Sequence, residues 1–339
     1  MRKTLTVVAV AGIAAIALTG CNPRGAAVGG GSESGGAEAA AIDSVSIIVP
    51  ADPGGGWDQT GRAASGVLTG EGLVDTAAVT NIGGAGGTVG LASLANETDP
   101  NTLMVTGLVM VGAVETNAAE NRIEDTTPIA RLTDEPLVVV VPADSEFQTL
   151  KELVDAVVAE GQDITITGGS AGGADHILAG LLLEEAGLDG AGITEKLNYV
   201  PNAGGGEAVS LLLGNNAAAG ISGVGEFSEY VESGDLRALA VSSGEPAQLL
   251  PDAPTMTDEG YDIVYTNWRG LLAPGDITDA EKESLVALVT EMRDSAGWKD
   301  ALEEAGWTDA FLTGPELDTF IDENIAEVSG TLESIGLVQ

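Results

Sequence analysis

The chain has 339 residues, with 52 Asp and Glu against 13 Lys and Arg, one His and one Cys, for a formal net charge of −39 at pH 7. So few basic residues exclude the clustered Lys and Arg that nucleic acid or an anionic lipid surface requires. One His and one Cys exclude a Cys/His zinc site and a disulfide framework, and no cofactor is expected. Apolar residues make up 44%, enough to bury a core despite the charge, while 48 Gly and 4% aromatics predict many tight turns and an interior of Ala, Val, Leu and Ile.

Arg2 and Lys3 precede a largely apolar run from Leu5 to Leu18, which is short for a bilayer span. Leu18-Thr19-Gly20-Cys21 then reads as a lipobox. Residues 1–20 are therefore expected to be a lipoprotein signal peptide, with Cys21 receiving the lipid that anchors the chain to the outer face of the cell membrane. Residues 21–42, with Gly29-Gly30-Gly31-Ser32 and Ser34-Gly35-Gly36, have no apolar periodicity and form a flexible tether.

The folded part opens with a buried strand at Val45–Val49, stopped by Pro50, and a helix from Trp57 to about Leu68. Strands follow at Thr76–Thr80 and Thr102–Thr106, with a helical pattern ending near Ala95 between them. Leu137–Val141 is the most strand-like run, followed by a helix over Leu150–Ala159. Ile164–Thr167 and a helix over Ala174–Ala186 repeat the cycle, and then come a strand at Val200, a helix over Glu207–Leu213 and a strand over Leu236–Val241. From Thr278 onward the chain reads as helical, near Ala280–Ser295, Trp298–Ala305 and Pro315–Ile335. Short strands alternating with helices predict an α/β fold of parallel β-α units.

Four segments share one order of strand, Gly-rich loop and helix: Pro50–Trp57, Asn81–Gly90, Gly168–Asp175 and Pro201–Glu207. Glycine lets a ligand approach the backbone, and the first N–H groups of a helix carry partial positive charge. Several such helix starts around one cleft would bind an anion without Lys or Arg. Gly55 and Gly172 are expected to need either that close approach or a positive φ.

Signatures of catalysis are weak. Gly84-Ala85-Gly86-Gly87-Thr88-Val89-Gly90 misses the dinucleotide fingerprint by one position and follows the second strand, and Lys never follows Gly, which removes a Walker A loop. A Ser170 nucleophile would need His176 as its base, on the very next helix, whereas triad partners normally come from separate elements. A non-enzymatic binding protein is therefore the first reading and an extracytoplasmic hydrolase using Ser170 the second. Arg269, beside Trp268 and flanked by Asn267 and Gly270, carries a guanidinium fork.

These motifs, in this order, resemble the substrate-binding proteins of tripartite tricarboxylate transporters, the Bug or TctC-type receptors. Ile48-Val49-Pro50 with Gly54-Gly55-Gly56-Trp57-Asp58 and Arg62 is similar to the family's opening. Asn81 with Gly84–Gly90, Gly169-Ser170-Ala171-Gly172-Gly173 with His176, and Tyr199-Val200-Pro201 with Gly204-Gly205-Gly206-Glu207 resemble its next three signatures. Leu236–Val241, Pro251-Asp252-Ala253-Pro254-Thr255 and Asn267-Trp268-Arg269-Gly270 complete the order. Ile82-Gly83 and Asn202-Ala203 depart from the usual Arg-Pro and Tyr-Lys, and the Gly-Gly-Gly-Glu and Trp-Arg-Gly variants look closer to the citrate-binding branch.

The resemblance implies a two-lobed periplasmic-binding-protein fold with two crossover strands, near Leu132–Val141 and Val264–Leu272. Residues 43–135 with 270–339 would form one lobe and residues 136–269 the other. It implies a monomer that binds a di- or tricarboxylate and serves the large and small membrane subunits of a gradient-driven transporter, and it adds a carboxylate sensor as the third reading. The ligand would be held by backbone N–H groups of the loops Asp52–Asp58 and Gly168–Asp175. For Arg269 it implies contact with a second carboxylate or pairing with an acid in the hinge. The expected ligand-binding set is Pro53, Gly54, Gly55, Gly56, Trp57, Asp58, Asn81, Gly86, Gly87, Thr88, Gly169, Ser170, Ala171, Gly172, Gly173, His176, Asn202, Gly204, Gly205 and Arg269.

Overall fold

A computed structural model describes residues 42–203 and 205–338. The expected signal peptide, the expected lipidation site Cys21, nearly all of the expected tether and Gly204 lie outside the described residues. Strand β1 (Ser44–Val49) leads into α1 (Gly56–Gly70), β2 (Thr76–Asn81), α2 (Thr88–Leu94), β3 (Thr102–Gly107) and α3 (Leu108–Thr116). The long β4 (Thr127–Pro142) follows, then α4 (Leu150–Glu160), β5 (Thr165–Gly168), α5 (Ala174–Glu185), α6 (Gly190–Lys196), β6 (Asn198–Pro201), α7 (Gly205–Leu213), β7 (Ala219–Gly223), α8 (Val224–Glu232) and β8 (Leu236–Val241). Strand β9 (Thr266–Ala273), α9 (Asp279–Asp294), α10 (Ala296–Ala305), β10 (Thr308–Leu312) and α11 (Gly314–Ser334) complete the chain.

Strand pairing divides at β4. Its first part pairs antiparallel with β9, from Thr127↔Ala273 to Pro136↔Thr266, and with β10. Its second part pairs antiparallel with β7, from Leu137↔Gly223, and with β8. The change of partner falls at Pro136, a residue with no N–H to contribute to a ladder. Strands β2, β1 and β3 are parallel neighbours on the β9 side, and β7, β5 and β6 are parallel neighbours on the other. The expected parallel β-α units are thus present in two blocks. Leu236–Val241 departs from that expectation: β8 pairs antiparallel with β4, because β4 runs through both strand groups and sets the direction of its neighbours.

Six elements escaped the hydropathy reading, one of which, β9, was expected only from the resemblance. Helix α3 is apolar on every side, with Leu108, Met110, Val111, Ala113 and Val114 all buried, so no amphipathic period marks it. Strand β7 is built from Ala219-Gly-Ile-Ser-Gly223, and its small residues hide it, while α8 follows with a single Gly as punctuation. Helix α6 is short and is capped by the Asp189 carboxylate, which accepts the Gly192 N–H at 2.8 Å. Strand β10 is half exposed and carries no alternation.

Valine, leucine and isoleucine from β1, β3, β4, β5 and β7 form the main core with α1, α3, α5, α9 and α11. A smaller apolar cluster lies against Val138 and Val140 on the opposite side of β4, with Leu212, Phe227 and Leu236. Trp268 anchors α11 to β9: its indole N–H donates to Asn324 Oδ1 at 2.8 Å and its ring meets Phe320 edge-on at 5.2 Å.

Candidate functional site

A cavity of about 300 Å³ opens where the helix starts meet strand β9. Its walls are Gly55, Gly56 and Trp57 at the start of α1, Gly84–Gly87 before α2, and Val109 of α3. Gly169, Ser170, Ala171 and Asp175 come from the α5 entrance, Asn202 and Ala203 from the turn after β6, and Ser222 and Glu226 from β7 and α8. Asn267 and Arg269 of β9 form the base, and Asp52 stands at the rim.

Two of these loops are built alike. Helix α1 begins after Gly55, in extended backbone at φ −88°, and α5 begins after Gly173 at φ −79°. Neither helix has a side-chain cap, so its first N–H groups remain available for a ligand. In each, an Asp of the first turn folds back on its own loop. Asp58 Oδ2 accepts the Gly54 N–H at 2.9 Å, and Asp175 Oδ2 accepts the Gly169 N–H at 2.6 Å. The N–H groups of Gly55, Gly56, Trp57, Ser170 and Ala171 have no partner among the described residues.

Of the expected residues, Gly55, Gly56, Trp57, Gly86, Gly87, Gly169, Ser170, Ala171, Asn202 and Arg269 line the cavity. Pro53, Gly54, Asp58, Asn81, Thr88, Gly172, Gly173 and His176 do not, and several of these support the lining instead. Asp58 also accepts Arg62 Nε and Asn81 Nδ2, both at 2.9 Å. Asn81 Nδ2 donates as well to Ala51 O at 3.0 Å, which ties β2 to the first loop. Burial raises the Asp58 pKa, but the bonds from Arg62, Asn81 and Gly54 outweigh it and leave the carboxyl below its ordinary value. Asn202 locks the third loop by donating through Nδ2 to Thr167 Oγ1 at 2.7 Å and Gly168 O at 2.8 Å.

Positive φ falls on other glycines than expected in the first loop. Gly54 has it, at 101°, while Gly55 is extended. Gly172 has it as expected, at 73°, and a Cβ there would lie 2.4 Å from Thr116 Cγ2. Gly87, at φ 95°, lets the Trp57 ring lie against its Cα, since a Cβ would lie 2.6 Å from that ring.

His176 packs against the Gly168–Asp175 loop. Its Nδ1 accepts the Gly172 N–H at 3.1 Å, and its ring stacks on Tyr199 at 4.1 Å with planes 5° apart. Burial lowers its pKa to about 4, so the ring is neutral at pH 7. With Nδ1 engaged, the remaining proton sits on Nε2, and no hydrogen bond joins Ser170 to His176 among the described residues.

Arg269 is 2% exposed, and its Nη2 pairs with Glu135 Oε2 of β4, itself 1% exposed. Nε and Nη1 have no partner among the described residues, and neither has the Trp57 indole N–H. The guanidinium lies over the Trp307 ring at 5.3 Å and directly below Gly56, where a Cβ would reach 2.2 Å from Nη2. Burial raises the Glu135 pKa, against the pull of Arg269 and of the Gly225 N–H, which donates to Oε1 at 2.9 Å. Glu135, Ser222 and Glu226 escaped the sequence reading. Ile221-Ser222-Gly223-Val224-Gly225-Glu226 does carry the same strand–Gly–helix signal, weakened by its isolated glycines. No cluster of three or more metal-ligating side chains and no helix long and apolar enough to cross a membrane occurs among the described residues.

Residues 63–337 match the sequence pattern of the family described as "Tripartite tricarboxylate transporter family receptor". A "UPF0065 protein in the TAR-I ttuE-ttuC' intergenic region" of Agrobacterium vitis is 31% identical over 257 residues, covering 74% of this chain and 71% of the relative. The protein BugT of Bordetella pertussis is 27% identical over 302 residues, covering 86% and 89%. Among solved structures, the periplasmic binding protein BugD superposes with a TM-score of 0.75 at 22% identity, covering 87% of this chain and 98% of BugD. MatC of Rhodopseudomonas palustris with bound malate gives 0.74 at 21% identity, covering 85% and 98%, and R. palustris Rpa4515 with adipate gives 0.77 at 18%, covering 86% and 97%. At these identities the superpositions establish a periplasmic-binding-protein fold.

Proposed function

The chain belongs to the tripartite tricarboxylate transporter receptor family, and from that premise we propose that it is an extracytoplasmic receptor for a citrate-like di- or tricarboxylate, which it delivers to a gradient-driven tripartite membrane transporter. The observation that carries this reading is the convergence on one cavity of unpaired donors. They are the loop N–H groups of Gly55, Gly56, Trp57, Ser170 and Ala171, the Trp57 indole and two guanidinium nitrogens of Arg269. One ligand carboxylate sits on the two loops, where helix-start dipoles act without a mobile cation. Arg269, braced by Glu135, faces the second. Malate in MatC and adipate in Rpa4515 support a carboxylate as the ligand class.

In this reading residues 43–135 with 270–339 and residues 136–269 are two lobes that close on the ligand about β4 and β9. Closure presents a new surface to the large and small membrane subunits. The receptor acts as a monomer tethered through lipidated Cys21. The engaged Nδ1 of His176 favours this reading over a hydrolase built on Ser170.

The test is a thermal-shift panel of citrate, malate, adipate and monocarboxylates, followed by recovery of the ligand. A carboxylate at about a hundred times its Kd adds roughly 2.7 kcal/mol of stability and is recovered unchanged. Absence of any shift, or conversion of the ligand, sinks the proposal. Cys21→Ala separately tests the anchor, which fails if the variant is processed and fractionates like the parent.

A further inference from the structure

We infer that the cavity takes up a proton together with its carboxylate ligand, and that the Asp175 carboxylate is the proton acceptor. This rests on the carboxylate reading above. Asp52, Asp175 and Glu226 line the cavity, and Arg269 is its only described Lys or Arg. That guanidinium already pairs with buried Glu135. An incoming anion therefore meets an excess of negative charge, and something positive must arrive with it.

The two matching loops show where. Asp58 and Asp175 hold their loops by the same backbone bond, but their surroundings differ. Asp58 has the Arg62 guanidinium and the Asn81 amide on its carboxylate. Asp175 is 7% exposed, and its only described hydrogen bond is the Gly169 N–H. From α8 it faces Glu226, from β4 Glu135, and from β9 the engaged Arg269. His176, on its own helix, and Tyr199 and Tyr265, on β6 and before β9, are the other ionisable groups around it.

His176, the two tyrosines and Glu135 do not take the proton instead. His176 is buried and already spends Nδ1 on the Gly172 N–H. Both tyrosines are neutral, their pKa values raised by burial and by the Asp175 charge. Glu135, whose carboxyl pKa burial also raises, does not line the cavity and sits behind Arg269, with Nη2 and the Gly225 N–H on its two oxygens. Burial, Glu226 and Glu135 raise Asp175 to about 7, so the empty cavity is half-protonated near neutrality. A ligand anion raises it further. Below pH 6 the proton is already present and binding takes up none. Above pH 7 each bound ligand draws up to one proton from solvent, and affinity falls by up to roughly tenfold per pH unit.

The experiment is calorimetric titration with L-malate and with adipate, both fully ionised above neutral pH, in phosphate and in Tris at pH 7 and 8. The dependence of the heat on buffer counts the protons. The expected result is uptake of up to one proton per ligand, larger at pH 8. Asp175→Asn keeps the Gly169 bond through its amide oxygen and should bind with no uptake and little dependence on pH. Glu226→Gln removes a neighbouring charge and should move the uptake to lower pH; it also tests the idea if Asp175→Asn does not fold. Binding by the parent with identical heats in both buffers overturns the proton, as does undiminished uptake in Asp175→Asn. Tighter binding of L-aspartate than of succinate without uptake overturns it too, since an ammonium would then supply the positive charge. If no carboxylate of the panel binds at any pH, the carboxylate reading itself falls and the proton with it.

Discussion

Replacing Arg269 with Gln removes the charge that compensates Glu135 while leaving Glu135 1% exposed beneath the cavity. The remaining donor on that carboxylate is the Gly225 N–H, and Glu226 adds a like charge nearby. Breaking a buried pair from one side typically costs about 3–5 kcal/mol, because the surviving charge stays desolvated. In a body of this size that is a fall in Tm on the order of 10 °C. The cost depends on pH with a definite sign. Glu135 already has a raised pKa in the fold, so the folded state binds more protons than the unfolded one and stability falls as pH rises past its ordinary value of 4.5. Loss of Arg269 raises that pKa further, so the deficit is least near pH 4.5 and grows toward pH 8. Urea melts at pH 5 and pH 8 measure it, and Glu135→Gln combined with Arg269→Gln should recover much of the loss as a neutral pair. A deficit below about 1 kcal/mol at pH 8, or one that is equal at both pH values, would refute the buried-pair argument.

Gly112→Ala improves intrinsic helix propensity by about 1 kcal/mol, yet its Cβ would lie 1.9 Å from Gly172 O. The α5 loop must therefore move away from α3, and ligand affinity should fall at least tenfold by calorimetry while α3 remains folded. Asp58→Asn leaves Arg62 without its ionic partner and loosens the first loop, with an expected loss of about 1.5–3 kcal/mol at pH 7. The lowered pKa of Asp58 means that the parent keeps this contribution above about pH 4 and loses it as pH falls through the folded value, so the gap between the two proteins should narrow progressively in melts below pH 4. Trp268→Phe leaves Asn324 Oδ1 buried without its donor and should cost roughly 1–3 kcal/mol in urea unfolding, with little change in ligand affinity.

Local chemistry written along the chain was enough to identify the loops. Pro50 and the glycines that follow it end a strand and open a helix, so the α1 and α5 entrances, which line one cavity, were legible as Gly-rich strand-to-helix loops. The parallel β-α units were legible from hydropathy alternation, a short-range property, but their division into two blocks was not, and β7 of the second block went unread. The remainder depended on contacts that no local pattern records. Helix α3 shows no amphipathic period because nearly all of it is buried, between the main core and the α5 loop, and β7 is made of residues too small to signal a strand. Asp58 and Asp175 occupy equivalent places in the sequence grammar, yet only folding brings Arg62 and Asn81 to the one and Glu226 and Glu135 to the other. Arg269 and Glu135 are 134 positions apart and pair only because β9 lies antiparallel to β4. Charge compensation in a buried site depends on separations of a few ångströms between distant parts of the chain, and those separations exist only once the strands have paired.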